Sequence, residues 1–254
     1  MASSHTYPMK YKQKSIAYII NNVIFDGNER KGSDVDEQKL IKTFTALSFD
    51  VKSVRNQTRE QMVKLLEKVS RDIHKDSDCF VCVILSHGEE DKVHGTDGPV
   101  EVTKLLAPFR GDRCSALAGK PKLFFIQACR GTQYDDGADA LGVKGDGPGG
   151  EDEDMGVEDE LVTYRIPREA DFLIAYSSVR GYRAWRHEGK GSWFIQTLCK
   201  VLEEHREKLD LLTMMTRVNH TVAFDFPSQG RAHKKKQIPC ITSMLTKDLF
   251  FRKT

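Results

Sequence analysis

Two periods of hydrophobic and polar positions alternate along this chain, and together they predict its elements. Near-continuous apolar runs of strand length mark strands covered on both faces, while i, i+3, i+4 spacing marks helices packed on one side. Ile16 to Ile24 reads as a first buried strand. Ser33, with Asp36 three residues later, reads as the cap of a helix with apolar positions at Leu40, Ile41, Phe44 and Leu47. Thr58-Arg-Glu-Gln61 is a capping box, followed by Met62, Leu65, Leu66, Val69 and Ile73 on one helical face. Cys79 to Leu85 predicts a second buried strand, and Thr96-Asp97-Gly98 a hairpin turn between Lys92-Val93 and Val100. A short helix is expected over Val102 to Phe109 and a strand over Lys122 to Ala128. Then come a strand at Asp171 to Ser177, a helix capped by Ser192, a helix from Leu209 to Phe224 and a last strand at Ser243 to Leu249. Strands alternating with helices predict an α/β sandwich, with a mostly parallel central sheet of about six strands and helices on both faces.

Composition narrows the class. With 254 residues, 39% hydrophobic and 30% charged, the chain reads as a soluble globular protein able to bury a full core. No apolar run approaches the roughly 20 residues of a membrane span, and Met1-Ala-Ser-Ser-His lacks the apolar stretch of a signal peptide. Six cysteines lie scattered at 79, 82, 114, 129, 199 and 240, several inside apolar runs, which suits reduced thiols in a cytoplasmic protein. Cys79 and Cys82 would face opposite sides of a strand and so make no metal pair. No metal or cofactor is expected. Lys234 to Lys236 read as a solvated edge, Met214 and Met215 as core, and neither nucleic acid nor membrane is an expected partner.

The net charge of +2 conceals an asymmetry: residues 132–160 hold seven Asp and four Glu against the single Lys144, a local −10 that leaves +12 elsewhere. The same segment has seven glycines and few large apolar residues, so it cannot form a core and reads as a mobile acidic linker. It divides the chain into a short N-terminal segment 1–14, a larger part 15–131 and a smaller part 161–254.

Two strand ends carry the chemistry. Lys122 to Ile126 leads into Gln127-Ala128-Cys129-Arg130-Gly131, which puts a thiol at the carboxyl edge of a parallel sheet, where ligand sites lie. Phe80 to Leu85 leads likewise into Ser86-His87-Gly88, 42 residues upstream of the cysteine. A nucleophile and a base on neighbouring strand ends can form a Cys/His dyad without being adjacent in sequence. Gln-Ala-Cys-Arg-Gly with an upstream histidine is the caspase signature, and the chain resembles an executioner caspase from about Ala17 to Phe250. Leu85-Ser-His-Gly-Glu-Glu90, Phe109-Arg-Gly-Asp-Arg-Cys114 and Lys236-Gln-Ile-Pro-Cys240 extend the likeness, and the order His before Cys separates it from papain-like proteases.

The resemblance implies a cysteine endopeptidase that cleaves proteins after aspartate. Cys129 would be the nucleophile, His87 the general acid/base, and the N–H groups of Gly88 and Cys129 the oxyanion hole. Arg30, Gln127 and Arg186 match the residues that hold the aspartate side chain; two planar guanidinium forks around one carboxylate are selective and strong. Arg183, Trp185, His187 and Trp193 fall in the remaining substrate pockets. Arg183 stands where effector caspases usually place a tyrosine, and His187 and Glu188 replace the family's usual small polar residues. The resemblance further implies a homodimer of large/small pairs, protein substrates with exposed Asp-containing loops, and an upstream initiator caspase. Cleavage after Asp139 is expected to separate the halves, with Asp146 and Asp154 as further sites. No Asp precedes Asp26, so no N-terminal stretch removable by such a cut is expected. The alternative is a catalytically silent homologue serving as a scaffold or decoy; loss of His87, Cys129 or a pocket arginine would mark one, and all are present.

Overall fold

The computed structural model describes residues 5–10, 14–137, 166–226 and 235–251. Six strands form the central sheet: β1 (Ile16–Asn21), β2 (Asp50–Arg55), β3 (Phe80–Leu85), β4 (Lys122–Gln127), β5 (Phe172–Tyr176) and β6 (Cys240–Ser243). Their order across the sheet is β6-β5-β4-β3-β1-β2, with every pairing parallel except β5 with β6. The helices are α1 (Ser33–Ala46), α2 (Arg59–Asp72), the short α3 (Val102–Leu106), α4 (Trp193–His205) and α5 (Leu211–Asp225). The first three lie in the crossovers that lead from β1 through β2 and β3 to β4, while α4 and α5 connect β5 to the antiparallel β6.

Side-chain alternation in β3 decides which helix lies where. Val81, Val83 and Leu85 belong to the core under α1, α4 and α5, together with Leu40, Phe44, Phe194 and the fully buried Met214 and Met215. Phe80, Cys82 and Ile84 point the other way, to Met62, Leu66 and Val69 of α2 and Leu105 of α3. All six residues of β3 are buried, as are all six of β4, which is why both read as continuous apolar runs. Cys79 and Cys82 fall in opposite cores, as the strand period requires.

Several boundaries differ from expectation for identifiable reasons. The first strand stops at Asn21; Ile24–Phe25 instead pairs with Asn28–Glu29 in a small hairpin. Gly32 rather than Ser33 is the N-cap of α1, in a left-handed conformation (φ 82°), and a Cβ there would stand 2.6 Å from the His187 carbonyl. The Ser33 hydroxyl is freed for other partners: it donates to Asn21 Oδ1 at 2.6 Å and accepts from Arg30 at 2.9 Å. Ile41 lies on the outer side of α1, 37% exposed. The Thr58 capping box, the Ser192 cap of α4 and an Asp210 cap of α5 are formed.

The last strand runs over Cys240–Ser243, not Ser243–Leu249. Beyond it the chain leaves the sheet: Leu249 and Phe251 bury beside Phe49, Tyr7 and α5. There Tyr7 N–H donates to Asp248 O at 2.9 Å and Asp248 N–H to His5 O at 2.7 Å. The buried Tyr7 hydroxyl donates to Asp171 Oδ1 at 2.6 Å and accepts from Thr246 N–H at 2.9 Å. A segment near the N-terminus thus clasps one near the C-terminus across the foot of β5.

Candidate active site

β3 and β4 are neighbours in register, with Leu85 beside Gln127. Their continuations, Ser86-His87-Gly88 and Ala128-Cys129, therefore emerge side by side at the carboxyl edge of the sheet. Gly88 permits the approach: a Cβ on it would stand 2.8 Å from both Cys129 O and Lys92 O. The Ser86 hydroxyl donates to His94 O at 2.6 Å, and Ser177 Oγ donates to Ala128 O at 2.9 Å, so both strand ends are pinned from behind.

The segment 180–186 closes the other side, laced to the residues after Cys129. Arg130 N–H donates to Tyr182 O at 3.0 Å, Gly181 N–H to Arg130 O at 2.9 Å, and Arg183 N–H to Gln133 O at 3.0 Å. Gly131 sits so close to Gly181 that a Cβ would fall 2.1 Å from the latter's carbonyl oxygen. The result is a cleft of about 220 Å³ lined by His87, Gln127, Cys129, Arg183, Trp185 and Arg186, and also by Tyr134 and Ala184. Ala184 N–H donates to the Cys129 sulfur at 3.5 Å, so the thiol lies against this segment.

Arg30 reaches the site from the loop before α1. It is 1% exposed; Nη1 donates to Asn22 O and Ser33 Oγ, each at 2.9 Å, while Nε and Nη2 are buried without a partner among the described residues. Gln127 Oε1 is buried and unpartnered too. Arg186 is half-buried and held by its Nε on Lys31 O at 2.8 Å. Burial, with repulsion from Arg186, pushes the Arg30 guanidinium down to about 9. Orphaned donors on a buried cation carry a cost that a carboxylate would relieve. Burial and then the two arginines, with His94 after them, hold the His87 imidazolium down at about 4, so the ring is neutral at physiological pH.

His187 does not line the cleft: it is exposed, and its Nδ1 accepts from Gly189 N–H at 3.0 Å. Trp193 does not line it either. It is stacked between Trp185 (centroids 5.7 Å apart) and Phe226 (5.3 Å). Asp139, Asp146 and Asp154 lie outside the described residues. The acidic segment, expected to be mobile throughout, is anchored at its start: Gln133 pairs with Tyr182 and Asp135 with Lys236.

Two participants escaped the reading of the sequence. Tyr134 lies within the acidic segment, whose composition hides it, although an aromatic five residues after Cys129 is a usable signal. Asp36, a cap position of α1 in the sequence pattern, is fully buried beside Arg30, Arg186 and the Gly191–Ser192 strand. Its Oδ1 accepts Ser192 N–H at 2.8 Å, and burial pushes its carboxyl up to about 6.

The caspase domain model matches residues 14–250 of this chain. The chain belongs to the caspase family. It is 46% identical to caspase-7 of Gallus gallus over 252 residues, covering 96% of this chain and 79% of that protein. It is likewise 46% identical to caspase-3 of Mesocricetus auratus over 253 residues, covering 97% of this chain and 87% of that one. Caspase-3 of Felis catus matches to the same degree over 254 residues. This caspase is accordingly an aspartate-specific cysteine protease. Among the described residues no helix is long and apolar enough to cross a membrane.

Proposed function

We propose that this caspase is an executioner-type endopeptidase, made as a zymogen and activated by cleavage after aspartate in its acidic segment, with Asp139 the first site and Asp146 and Asp154 secondary ones. Its parts are then a large subunit, 15–131, and a small one, 161–254, following the short segment 1–14. It works as a homodimer of such pairs in the cytoplasm, on proteins that expose Asp-containing loops, downstream of an initiator caspase.

The observation that carries this reading is the set of unpartnered buried donors on Arg30, beside Arg186 and in reach of the Cys129 cleft. An aspartate side chain seated there brings that residue's own carbonyl, the one at the cut, to Cys129. His87, neutral at rest, takes the thiol proton as Sγ attacks. The tetrahedral oxyanion is held by the N–H groups of Gly88 and Cys129. The imidazolium returns the proton to the departing amine, and an acyl-enzyme remains. Water then attacks the thioester, giving up a proton to His87, and the thiol is regenerated. The bound carboxylate offsets the two guanidinium charges that depress His87, so the base strengthens when the correct substrate arrives.

The test is cleavage of matched peptides carrying Asp, Asn or Glu at the cut, by the processed enzyme and by Cys129→Ser. We expect turnover of the Asp peptide at least about a hundredfold above the others and none by the variant. Absence of cleavage by the processed wild type would move the protein to a scaffold or decoy.

A further inference from the structure

One cation in the cleft has no carboxylate partner among the described residues. Arg183 is exposed at the rim, and its Nε donates to Thr132 O at 3.1 Å. Its guanidinium lies 4.8 Å from the centre of the Tyr134 ring. The ring and the carbonyl fix the planar fork in place, so less freedom is lost when its remaining N–H groups meet a ligand. Among the described residues no carboxylate pairs with it, although the neighbouring arginines 130 and 180 are both paired to Asp91. Among the described residues no Asp or Glu lines the cleft; Arg183 and Arg186 give it a positive wall, with the buried Asp36 offsetting Arg186 from behind and nothing similar behind Arg183.

The chain direction places the two cations differently with respect to the thiol. Arg183 precedes Ala184, whose N–H touches the Cys129 sulfur, and Arg186 follows it. The two guanidiniums are anchored on different segments, Arg183 by its Nε on Thr132 O at 3.1 Å and Arg186 by its Nε on Lys31 O at 2.8 Å, so each can take a carboxylate of its own from a bound peptide.

We propose that Arg183 is a specificity-determining residue that selects an acidic side chain immediately before the cleaved aspartate. The preferred substrate is then an acidic pair, Glu-Asp or Asp-Asp, cut after its second member. This rests on the aspartate-directed reading above and narrows its substrate class. The step chemistry is unchanged; the second carboxylate contributes to binding and appears in KM.

The experiment compares tetrapeptide substrates identical except for Glu, Gln or Val before the Asp. Glu and Gln share shape, so their ratio isolates the charge. For the wild-type processed enzyme we expect kcat/KM for Glu about fivefold above Gln at low salt, carried by KM, and shrinking towards parity at 0.5 M salt. Arg183→Met is expected to bring the Glu/Gln ratio close to one, and Arg183→Lys to retain part of it. Equal rates for Glu and Gln in the wild type, a preference for Val over both, or a Glu preference that persists in Arg183→Met would overturn the inference. The two readings fail differently: loss of the Asp-over-Asn preference at the cut refutes the protease assignment. Intact Asp selectivity with indifference to the preceding charge refutes only the role of Arg183.

Discussion

At the scale of single residues, the site is governed by charge placed where water is scarce. His87 stands among groups that favour its neutral form, so its titration should not limit kcat/KM until the pH falls towards 4 to 5; an ordinary histidine would give a limb near 6.5. Arg186→Gln removes one depressing charge and should move the His87 resonance midpoint upward in an NMR titration. Saturation with an aspartyl aldehyde should do so as well, and an asparaginyl one should not. Gly88→Ala is a steric counterpart. Its Cβ would press on the backbone of Cys129 and Lys92 at 2.8 Å, displacing the turn that carries Cys129. A fall in kcat of about a hundredfold with little change in the far-UV spectrum is expected, because a misplacement of about 1 Å costs that much.

Between elements, the division of labour is set by what each sequence can bury. α2 is legible in the chain because its cap and its apolar stripe agree. Thr58 Oγ1 accepts Gln61 N–H while Gln61 Oε1 accepts Thr58 N–H at 2.8 Å. Thr58→Ala should lower stability by about 1 kcal/mol in urea unfolding, with no change in kcat. β2 was not legible. Asp50-Val-Lys-Ser-Val-Arg55 alternates weakly because it is an edge strand, paired on one side only and mostly exposed. The misplaced last strand has the same lesson in reverse. Leu245, Leu249 and Phe251 look like strand positions, yet they pack against helices and the N-terminal segment. The site followed a similar rule. His87 and Cys129 could be read because each ends a buried strand, whereas Tyr134 and Asp36 owe their places to contacts between distant segments.

For the whole molecule, stability depends on a core shared by both sides of the acidic segment. β5 and β6 extend the sheet that β1 to β4 begin, and α4 and α5 share the core of α1. The clasp of residues 5–10 on 244–251 adds a second tie. Tyr7→Phe leaves the buried Asp171 carboxylate short of a donor and Thr246 N–H short of an acceptor. A loss of about 1–3 kcal/mol is expected, measured by chemical denaturation.

That clasp also fixes the geometry of the two chain extremities. Tyr7 and Asp248 are hydrogen-bonded neighbours at one corner of the sheet, while residue 137 lies within the acidic segment and residue 166 beyond its end. The order in which the polypeptide visits its strands is therefore separable from the order in which the strands lie. A circular permutant that joins residue 251 to residue 5 through a short flexible linker, starting at 166 and ending at 137, would keep every strand neighbour and the clasp itself. Such a chain should melt within a few degrees of the parent.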